Sequence, residues 1–270
     1  MNEQPPQELI DANALLTGMI IALILMGAIL LYLYFRHRRS ATTDVSKEEI
    51  RQVLELHFAY YRNLGIADQD RFVRRVSQFI SLKTFIPRMF KVVTNEMKVL
   101  ISAAAVQLTF GLPEVCLRHF RRIIIYPDAY YSTVTEQMHK GEVNPKAGAI
   151  VLSWKSFLSG YANPDDSYNL GLHEMAHALE LENLIENEEY DFFSRKVWSD
   201  FQRQAQEITA HIKSGQHDFF RAYASTNEKE FFAVAIENFF ERAETFQQRF
   251  PQLYSILVLL LNQDPLVKTN

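Results

Sequence analysis

Residues 163–180 read NPDDSYNLGLHEMAHALE, and this stretch decides the fold that we predict for the chain. It contains the string HEMAH, in which His173 and His177 are four residues apart and Glu174 follows the first histidine. Apolar residues recur around the string with a helical period, and NPDD at its start is typical of a helix N-terminus. We therefore predict a helix over residues 165–182 that carries HEMAH.

The spacing within HEMAH indicates a catalytic metal site. Two histidines at positions i and i+4 lie on one face of a helix, so both imidazoles can bind a single zinc ion. Glu174 is rotated by about 100° from His173, where its carboxylate reaches a water molecule on the zinc without binding the metal. The zinc would lower the pKa of that water toward about 7, and Glu174 would take its proton as general base. We expect one zinc ion per chain and a hydrolase.

A catalytic zinc ion also needs a third protein ligand and an open fourth position. The metzincin arrangement requires a histidine six residues after His177, and it is excluded because that residue is Asn183. The remaining candidates all lie downstream of the helix: His211, His217, Asp218, Glu228, Glu230 and Glu237.

Glu230 is the strongest of these candidates. It leads the apolar string EFFAVAIENFF, where a buried carboxylate needs a cation. Glu237 lies two turns further along the same face, whereas Glu228 is better explained as a solvated acid in a first helical turn. His217 is the main rival because histidine is the commonest metal ligand. It lies in the polar string KSGQHD, however, and a loop holds a ligand less rigidly than a packed helix does.

The composition of the 270 residues narrows the function further. Apolar residues make up 48% of the chain and charged residues 22%, as in a packed globular protein rather than a disordered one. The net charge of −4 lacks the basic footprint of a nucleic-acid binder, so we expect no nucleic-acid partner. Cys116 is the single cysteine, which excludes an internal disulfide and a cysteine-rich metal site.

A membrane anchor is predicted at the N-terminus. Residues 15–35 read LLTGMIIALILMGAILLYLYF, and a helix of this length spans roughly 31 Å, the thickness of the hydrocarbon core. The leader, residues 1–14, is acidic and no cleavage site follows, which argues against a removed signal peptide. RHRR follows the apolar run, so the positive-inside rule places the body of the chain in the cytoplasm. We expect a single-pass protein of the cell (inner) membrane that contacts the lipid bilayer through residues 15–35.

The remaining chain is predicted to be an α+β domain with a small β-sheet and several helices. Residues 36–46 read as a basic stop followed by a polar tether, and residues 47–270 as the domain itself. The β-branched runs at residues 122–126 and 148–154 predict strands. The periodicity predicts helices over residues 47–61, 69–80, 95–110, 165–182, 190–212, 228–242 and 251–263.

Four strings resemble the Mlc titration factor A family of zinc metallopeptidases: LSW, NPDDSYNLGLHEMAHALE, STNEKEFFAVAIENFF and FPQLYSILVLLLNQDP. The similarity covers roughly residues 50–265. It implies a zincin-like metallopeptidase domain in which His173, His177 and Glu230 bind zinc and Glu174 is the catalytic base. This family commonly has Asp three residues after the second histidine, where this chain has Glu180. A carboxylate at that position would orient His177.

The string YASTNEKEFFA also resembles the catalytic domain of the bacterial toxin lethal factor. In both families the glutamate that leads the EFFA-type string is the third zinc ligand, and a tyrosine seven residues before it faces the site. The resemblance therefore implies a catalytic role for Tyr223, which would donate a hydrogen bond to the oxyanion of the tetrahedral intermediate. The strand predicted over residues 148–154 is either an edge strand that pairs with the substrate backbone or an ordinary strand of the sheet.

These observations favour a membrane-anchored, zinc-dependent peptidase that acts on peptides or proteins. The alternative, implied by the family resemblance, is a regulatory binding protein that sequesters a transcriptional regulator or other partner at the membrane. The intact HEMAH and Glu230 favour catalysis, because a pure binding module has no need of Glu174. A structural zinc site is disfavoured because such sites usually have four protein ligands, often cysteines.

Overall fold

The computed structural model describes residues 17–30, 45–132, 136–163, 165–185, 192–215 and 219–267. The chain divides into two compact units, Met1–Asp44 and Val45–Asn270. In the first unit, residues 17–30 form helix α1 with exposed side chains, and the rest of the predicted leader, anchor and basic stop lies outside the described residues. Within the described ranges, none of the helices combines the length and the apolar character needed to cross a membrane.

The second unit mixes helices and strands, which confirms the predicted α+β class. Its elements follow in the order α2 (Lys47–His57), α3 (Ala59–Arg62), α4 (Ile66–Leu82), β1 (Thr84–Pro87), α5 (Asn95–Thr109), β2 (Arg122–Tyr126), β3 (Tyr130–Ser132), β4 (Gln137–His139), β5 (Gly141–Asn144), β6 (Ala149–Ser153), α6 (Trp154–Ala162), α7 (Leu170–Ile185), α8 (Arg195–Lys213), the 3-10 helix η1 (Ala222–Ser225), α9 (Glu228–Glu241), α10 (Ala243–Arg249) and α11 (Pro251–Leu261).

The larger sheet has four strands in the order β1-β2-β6-β5. The first three run parallel, and β5 pairs with β6 in the antiparallel direction at the edge of the sheet. Of the two interpretations of residues 148–154, the ordinary strand of the sheet is correct and the edge strand is not, because β6 is paired on both sides and fully buried. The edge strands are β1 and β5, and the short string GEVN of β5 lacks the alternation that identifies a strand. Strands β3 and β4 form a separate two-stranded sheet.

The predicted helix boundaries differ from the observed ones at both ends of α4 and α7, at the end of α2 and at the start of α8. The first helix ends at His57, because Phe58 adopts an extended conformation before the short helix α3. Helix α7 begins at Leu170 instead of residue 165, since the chain makes a turn with Ser167 at a φ of 60° before Asn169 caps the helix. Helix α8 begins at Arg195, later than the predicted residue 190.

Helices α7 and α9 form the centre of the second unit. They pack against each other, and α7 also contacts α5, β5 and β6. Both helices are buried over most of their length, as expected for helices that are apolar on nearly every face. Phe231, Phe232 and Phe239 of α9 are fully buried, and each burial contributes about 1.5–3 kcal/mol. Any polar side chain on these helices must find partners inside the protein.

Candidate metal centre

Three side chains from α7 and α9 converge, so that one nitrogen or oxygen atom of each lies within 3.5 Å of the other two. His173 and His177 lie one turn apart on α7, and their Nε2 atoms are 3.1 Å from each other. Glu230 Oε2, from the first turn of α9, lies 3.2 Å from Nε2 of His173 and 3.5 Å from Nε2 of His177. These three residues form a group that could hold a metal ion. The structure thus brings together the three side chains that the sequence predicted as zinc ligands.

Asparagine caps fix the two helical turns that carry these side chains. Asn169 Oδ1 accepts a hydrogen bond from the backbone N–H of Leu172, and its carbonyl oxygen accepts one from His173. Asn227 Oδ1 accepts a hydrogen bond from the backbone N–H of Glu230. Each cap satisfies donors that a helix N-terminus otherwise leaves free, so the backbone of both turns is held in place.

The spacing and the chemistry of this group fit a zinc ion. Ligand atoms about 2.0–2.1 Å from a tetrahedral metal lie roughly 3.3 Å from one another, close to the distances that separate the three atoms here. Two imidazoles and one carboxylate are a donor set that zinc accepts. Glu230 Oε2 is also buried without a hydrogen-bond partner in the described part of the chain. A buried carboxylate oxygen in that position is suited to a cation.

The close contacts within the group shift the pKa values of His173 and Glu230. Burial lowers the pKa of His173, but the close contacts with the carboxylates of Glu230 and Glu237 outweigh burial and raise that pKa to about 10. Burial would raise the pKa of Glu230, but the two neighbouring histidines outweigh burial and hold it well below its usual range. Without a metal, a proton on His173 therefore offsets part of the negative charge of Glu230 and Glu237 at pH 7.

A second carboxylate orients His173 from the other side of the ring. His173 Nδ1 lies 2.6 Å from Glu237 Oε1, so the ring N–H donates to Glu237 and leaves Nε2 free for a metal. Glu237 also accepts hydrogen bonds from Nη2 of Arg221 at 2.6 Å and from Nη1 at 2.9 Å. Burial would raise the pKa of Glu237, but His173 and Arg221 lower it. Glu237, a candidate ligand by sequence, thus contacts a ligand instead of joining the group.

No pattern in the sequence identifies Arg221 as a residue of the site. It lies in the loop before η1 and reaches Glu237, the Ser167 carbonyl oxygen and the face of Tyr168, whose centroid is 4.6 Å from the guanidinium carbon. This single side chain therefore links the loop before η1, the turn before α7 and the helix α9. Only the packing of these three segments reveals its position, because no fixed spacing relates Arg221 to HEMAH.

Glu174 and Tyr223 flank the centre. Glu174 is buried, and burial raises its pKa above the ordinary value for a glutamate. Tyr223 lies on η1 with its ring centroid 6.1 Å from that of His173, and half of its surface is exposed. Burial of its hydroxyl and the neighbouring Glu230 raise the pKa of Tyr223 to about 12, so the phenol stays protonated at neutral pH.

The other candidates lie away from the group or outside the described residues. His217 and Asp218 fall in the part of the chain that the structure does not describe, and His211 is exposed on the last turn of α8. Glu228 accepts a hydrogen bond from Gln202 at 2.7 Å in the first turn of α9. Glu180 is buried, and burial raises its pKa.

A cleft of about 720 Å³ opens over the centre. Its walls come from β4, the start of β5, α6, the turn before α7 and η1. His173, Glu174 and Tyr223 lie in this lining together with Met138, Gly141 and Tyr168. His173 and Glu174 are thus accessible to a ligand from the cleft, although the helix that carries them is buried over most of its length.

Comparisons with known proteins also indicate a metallo-peptidase. Residues 33–261 match the family described as glucose-regulated metallo-peptidase M90. An uncharacterized protein of Synechocystis sp. is 26% identical over 223 residues, covering 77% of this chain and 81% of the relative. Proteins named Mlc titration factor A from Yersinia pestis and Yersinia pseudotuberculosis are 28% identical over 226 residues, covering 76% of this chain and 81% of each relative. The family resemblance in the sequence is confirmed: the chain belongs to the glucose-regulated metallo-peptidase M90 family.

Proposed function

We propose that the protein is a zinc-dependent peptidase with one zinc ion per chain, bound by His173, His177 and Glu230. The observation that carries the proposal is the convergence of three ligand atoms beside the buried Glu174, in a cleft that is open on one side. The membership of a metallo-peptidase family supports it. The arrangement of HEMAH on α7 and the third carboxylate on α9 also supports a zincin-like domain.

Each residue around the metal centre has a separate role in the proposed reaction. Bound zinc would act as a Lewis acid that polarises the scissile carbonyl and lowers the pKa of a water molecule. Glu174 accepts the proton of the attacking water and passes it to the leaving amine, a role that its raised pKa favours. Tyr223 keeps its proton at neutral pH and can donate a hydrogen bond to the developing oxyanion. Glu237 and Arg221 hold the His173 ring in the orientation that binds metal.

A peptide substrate fits the edge of the sheet. Among the described residues no strand pairs with β5 on the side away from β6, and the first residue of β5, Gly141, lines the cleft. An extended peptide can add to such an edge through backbone hydrogen bonds, which brings one of its carbonyl groups to the metal. This role, first considered for residues 148–154, passes to β5 because β6 has no free edge.

The proposal is tested by replacing Glu174 with glutamine. The Glu174→Gln variant is expected to keep one zinc ion per chain and to lose most hydrolysis of a peptide library, because an amide cannot accept the proton of water. Zinc content and cleavage are measured on the same preparation, with Glu142→Gln as a control on the neighbouring edge strand. Loss of zinc from Glu174→Gln would make Glu174 a ligand and contradict the mechanism.

A second function is a regulatory interaction at the membrane. Relatives carry the name Mlc titration factor A, which describes proteins that titrate Mlc. By analogy, this chain would bind and sequester a transcriptional regulator or another protein partner. The same Glu174→Gln variant separates the two functions, because partner binding should survive the loss of hydrolysis.

We further propose that residues 15–35 anchor the protein in the inner membrane with residues 47–270 in the cytoplasm. The charge-free run and the RHRR string that follows it support this topology. A reporter fused after residue 270 should report the cytoplasmic side, and a tag before residue 1 the outer side. The reverse pattern would place the metal centre outside the cytoplasm and change the class of substrate.

A further inference from the structure

The start of the edge strand β5 passes unusually close to Glu174. A Cβ atom added to Gly141 would lie 2.6 Å from both Cγ and Cδ of Glu174, and closer still to Oε1. Carbon atoms that are not bonded normally approach to about 3.5–4.0 Å. Any side chain at position 141 would therefore push the carboxylate of Glu174 by about 1 Å or more.

The backbone of Gly141 does not itself require glycine. Among the described glycines, positive φ angles occur at Gly148 and Gly215, and not at Gly141. Residue 141 thus has a conformation that other residues adopt in a strand, where glycine normally lowers stability. What excludes a side chain at this position is instead the close approach of Glu174.

The ladder between β5 and β6 shows where the backbone groups of Gly141 point. Ser153 N–H donates to the Lys140 carbonyl oxygen at 2.7 Å, which makes these two residues a hydrogen-bonded pair. Such pairs alternate along an antiparallel ladder, so Gly141 and its partner Leu152 form a pair without mutual hydrogen bonds. The N–H and C=O groups of Gly141 therefore point to the free edge of the sheet.

We propose that Gly141 is a positioning residue for Glu174. Its missing side chain leaves the space between α7 and β5 that the Glu174 carboxylate occupies, and its backbone groups lie at the edge where an extended peptide would add. The same residue thus fixes the distance between the general base and a bound peptide backbone. The catalytic part of this inference rests on the proposed peptidase function, whereas the contact between the two residues does not.

The contact is tested by a thermal double-mutant cycle on the zinc-saturated full chain. Gly141→Ala is expected to lower the Tm by roughly 5 °C in the wild-type background, because the added methyl group overpacks the site. In the Glu174→Ala background the same substitution should lower the Tm by about 1 °C or less, since the colliding atoms are gone. Glu142→Ala, on the opposite face of β5, is the matched control and should have equal effects in both backgrounds.

Equal losses of Tm for Gly141→Ala in the two backgrounds would overturn the inference. If Gly141→Ala alone fails to fold, a folded Gly141→Ala/Glu174→Ala chain supports the same contact, and failure of both overturns it. This cycle needs no enzymatic activity, so it decides the inference even if the wild-type chain hydrolyses no peptide.

Turnover gives a second readout that tests the positioning role. Gly141→Ala should keep one zinc ion and lower kcat about 100-fold with little change in KM, as expected for a general base displaced by about 1 Å. In the Glu174→Asp background, where the shorter side chain has already withdrawn, adding Gly141→Ala should cost about 3-fold or less. A wild-type kcat in Gly141→Ala, or the full 100-fold loss in both backgrounds, would contradict the positioning role.

Discussion

The helices that carry the metal-binding side chains differ from the short elements that line the cleft. Helices α7 and α9 have 16 and 14 residues, and most of these are buried. Strand β5 and the 3-10 helix η1 have four residues each and are largely exposed or half-buried. The difference indicates a division of labour, in which packed helices hold the metal and short rim elements present groups to the substrate. Changes at the metal-binding side chains of the helices should alter zinc binding, whereas changes in the rim, and at Glu174 on α7, should alter turnover.

The largest effect is expected at Glu230. Glu230→Ala should weaken zinc binding by at least about 1000-fold, because a centre with three protein ligands is reduced to two. Glu230→Asp should leave a weakened site, since the shorter carboxylate falls short of the two imidazoles. Competition with a chromophoric chelator measures both affinities.

The rival His217 and the exposed His211 serve as controls for this substitution. His217→Ala and His211→Ala should each leave zinc affinity within about 2-fold of the wild type, because His211 is exposed on α8 and His217 lies in a polar string of the sequence that holds a ligand less rigidly than a packed helix does. Loss of zinc from His217→Ala together with retention by Glu230→Ala would contradict the third-ligand assignment.

Tyr223 lies on the rim element η1, so its substitution tests the predicted role of the rim in turnover. Tyr223→Phe should retain zinc and lower kcat by about 100-fold, the usual cost of removing one hydrogen-bond donor from an oxyanion site. Tyr168→Phe, at another exposed tyrosine of the same cleft, is the matched control and should be nearly silent. A Tyr223→Phe variant that loses its metal would break the proposed division between helices and rim.

Glu237 should affect zinc binding more weakly than Glu230 because it acts through His173. Glu237→Gln keeps the size of the side chain but removes the charge that orients the ring, and we expect a 10- to 100-fold loss of zinc affinity. Glu241 lies one turn further along α9 and accepts a hydrogen bond from Asn169 instead of contacting His173. Glu241→Gln should therefore change zinc affinity only slightly. Equal losses from both variants would show that general disruption of α9 weakens the site.

Zinc binding should also depend gradually on pH. In the metal-free chain His173 keeps its proton up to a pKa of about 10, and zinc must displace that proton. Zinc affinity should therefore rise up to about 10-fold per pH unit between pH 7 and 10, with close to one proton released from His173. Calorimetry in buffers of different ionisation enthalpy measures this release. An affinity that falls over this range would contradict the assignment of the proton.

Stability of the metal-free chain should follow the same groups. The raised pKa of His173 contributes stability that is fully present below its ordinary value of 6.5 and is lost as the pH rises toward 10. The lowered pKa values of Glu230 and Glu237 contribute stability that is present above about 4.5 and is lost as the pH falls through their folded values. Denaturant unfolding between pH 4 and 10 should therefore show greatest stability from these groups near pH 5–6.

The sequence predicts the metal-binding side chains because metal chemistry imposes a local spacing. His173 and His177 must lie one turn apart on a helix, and Glu230 is recognisable as a carboxylate at the head of an apolar helix. The roles of Glu237 and Arg221 depend on how α7, α9 and the loop before η1 pack together. No local pattern carries that information, so the hydrogen bonds of Glu237 appear only in the folded chain.

The short elements of the fold are likewise difficult to predict from local sequence patterns. The strand predicted over residues 122–126 matches β2, because a continuous β-branched run identifies a buried strand. Strand β5 is missed because GEVN has four residues and no alternation, and the position of β6 in the sheet stays open because strand order depends on tertiary pairing. The start of α7 is misplaced because NPDD resembles a helix start, while the cap that the chain uses is Asn169.

The central claim is that α7 and α9 together hold one zinc ion, and elemental analysis of the purified full chain tests it most directly. The wild-type chain should contain one zinc ion, and His173→Ala and His177→Ala should contain none after dialysis against a weak chelator. The Tyr223→Phe chain should contain as much zinc as the wild type. A wild-type chain without zinc, or histidine variants that keep the full amount, would contradict the account.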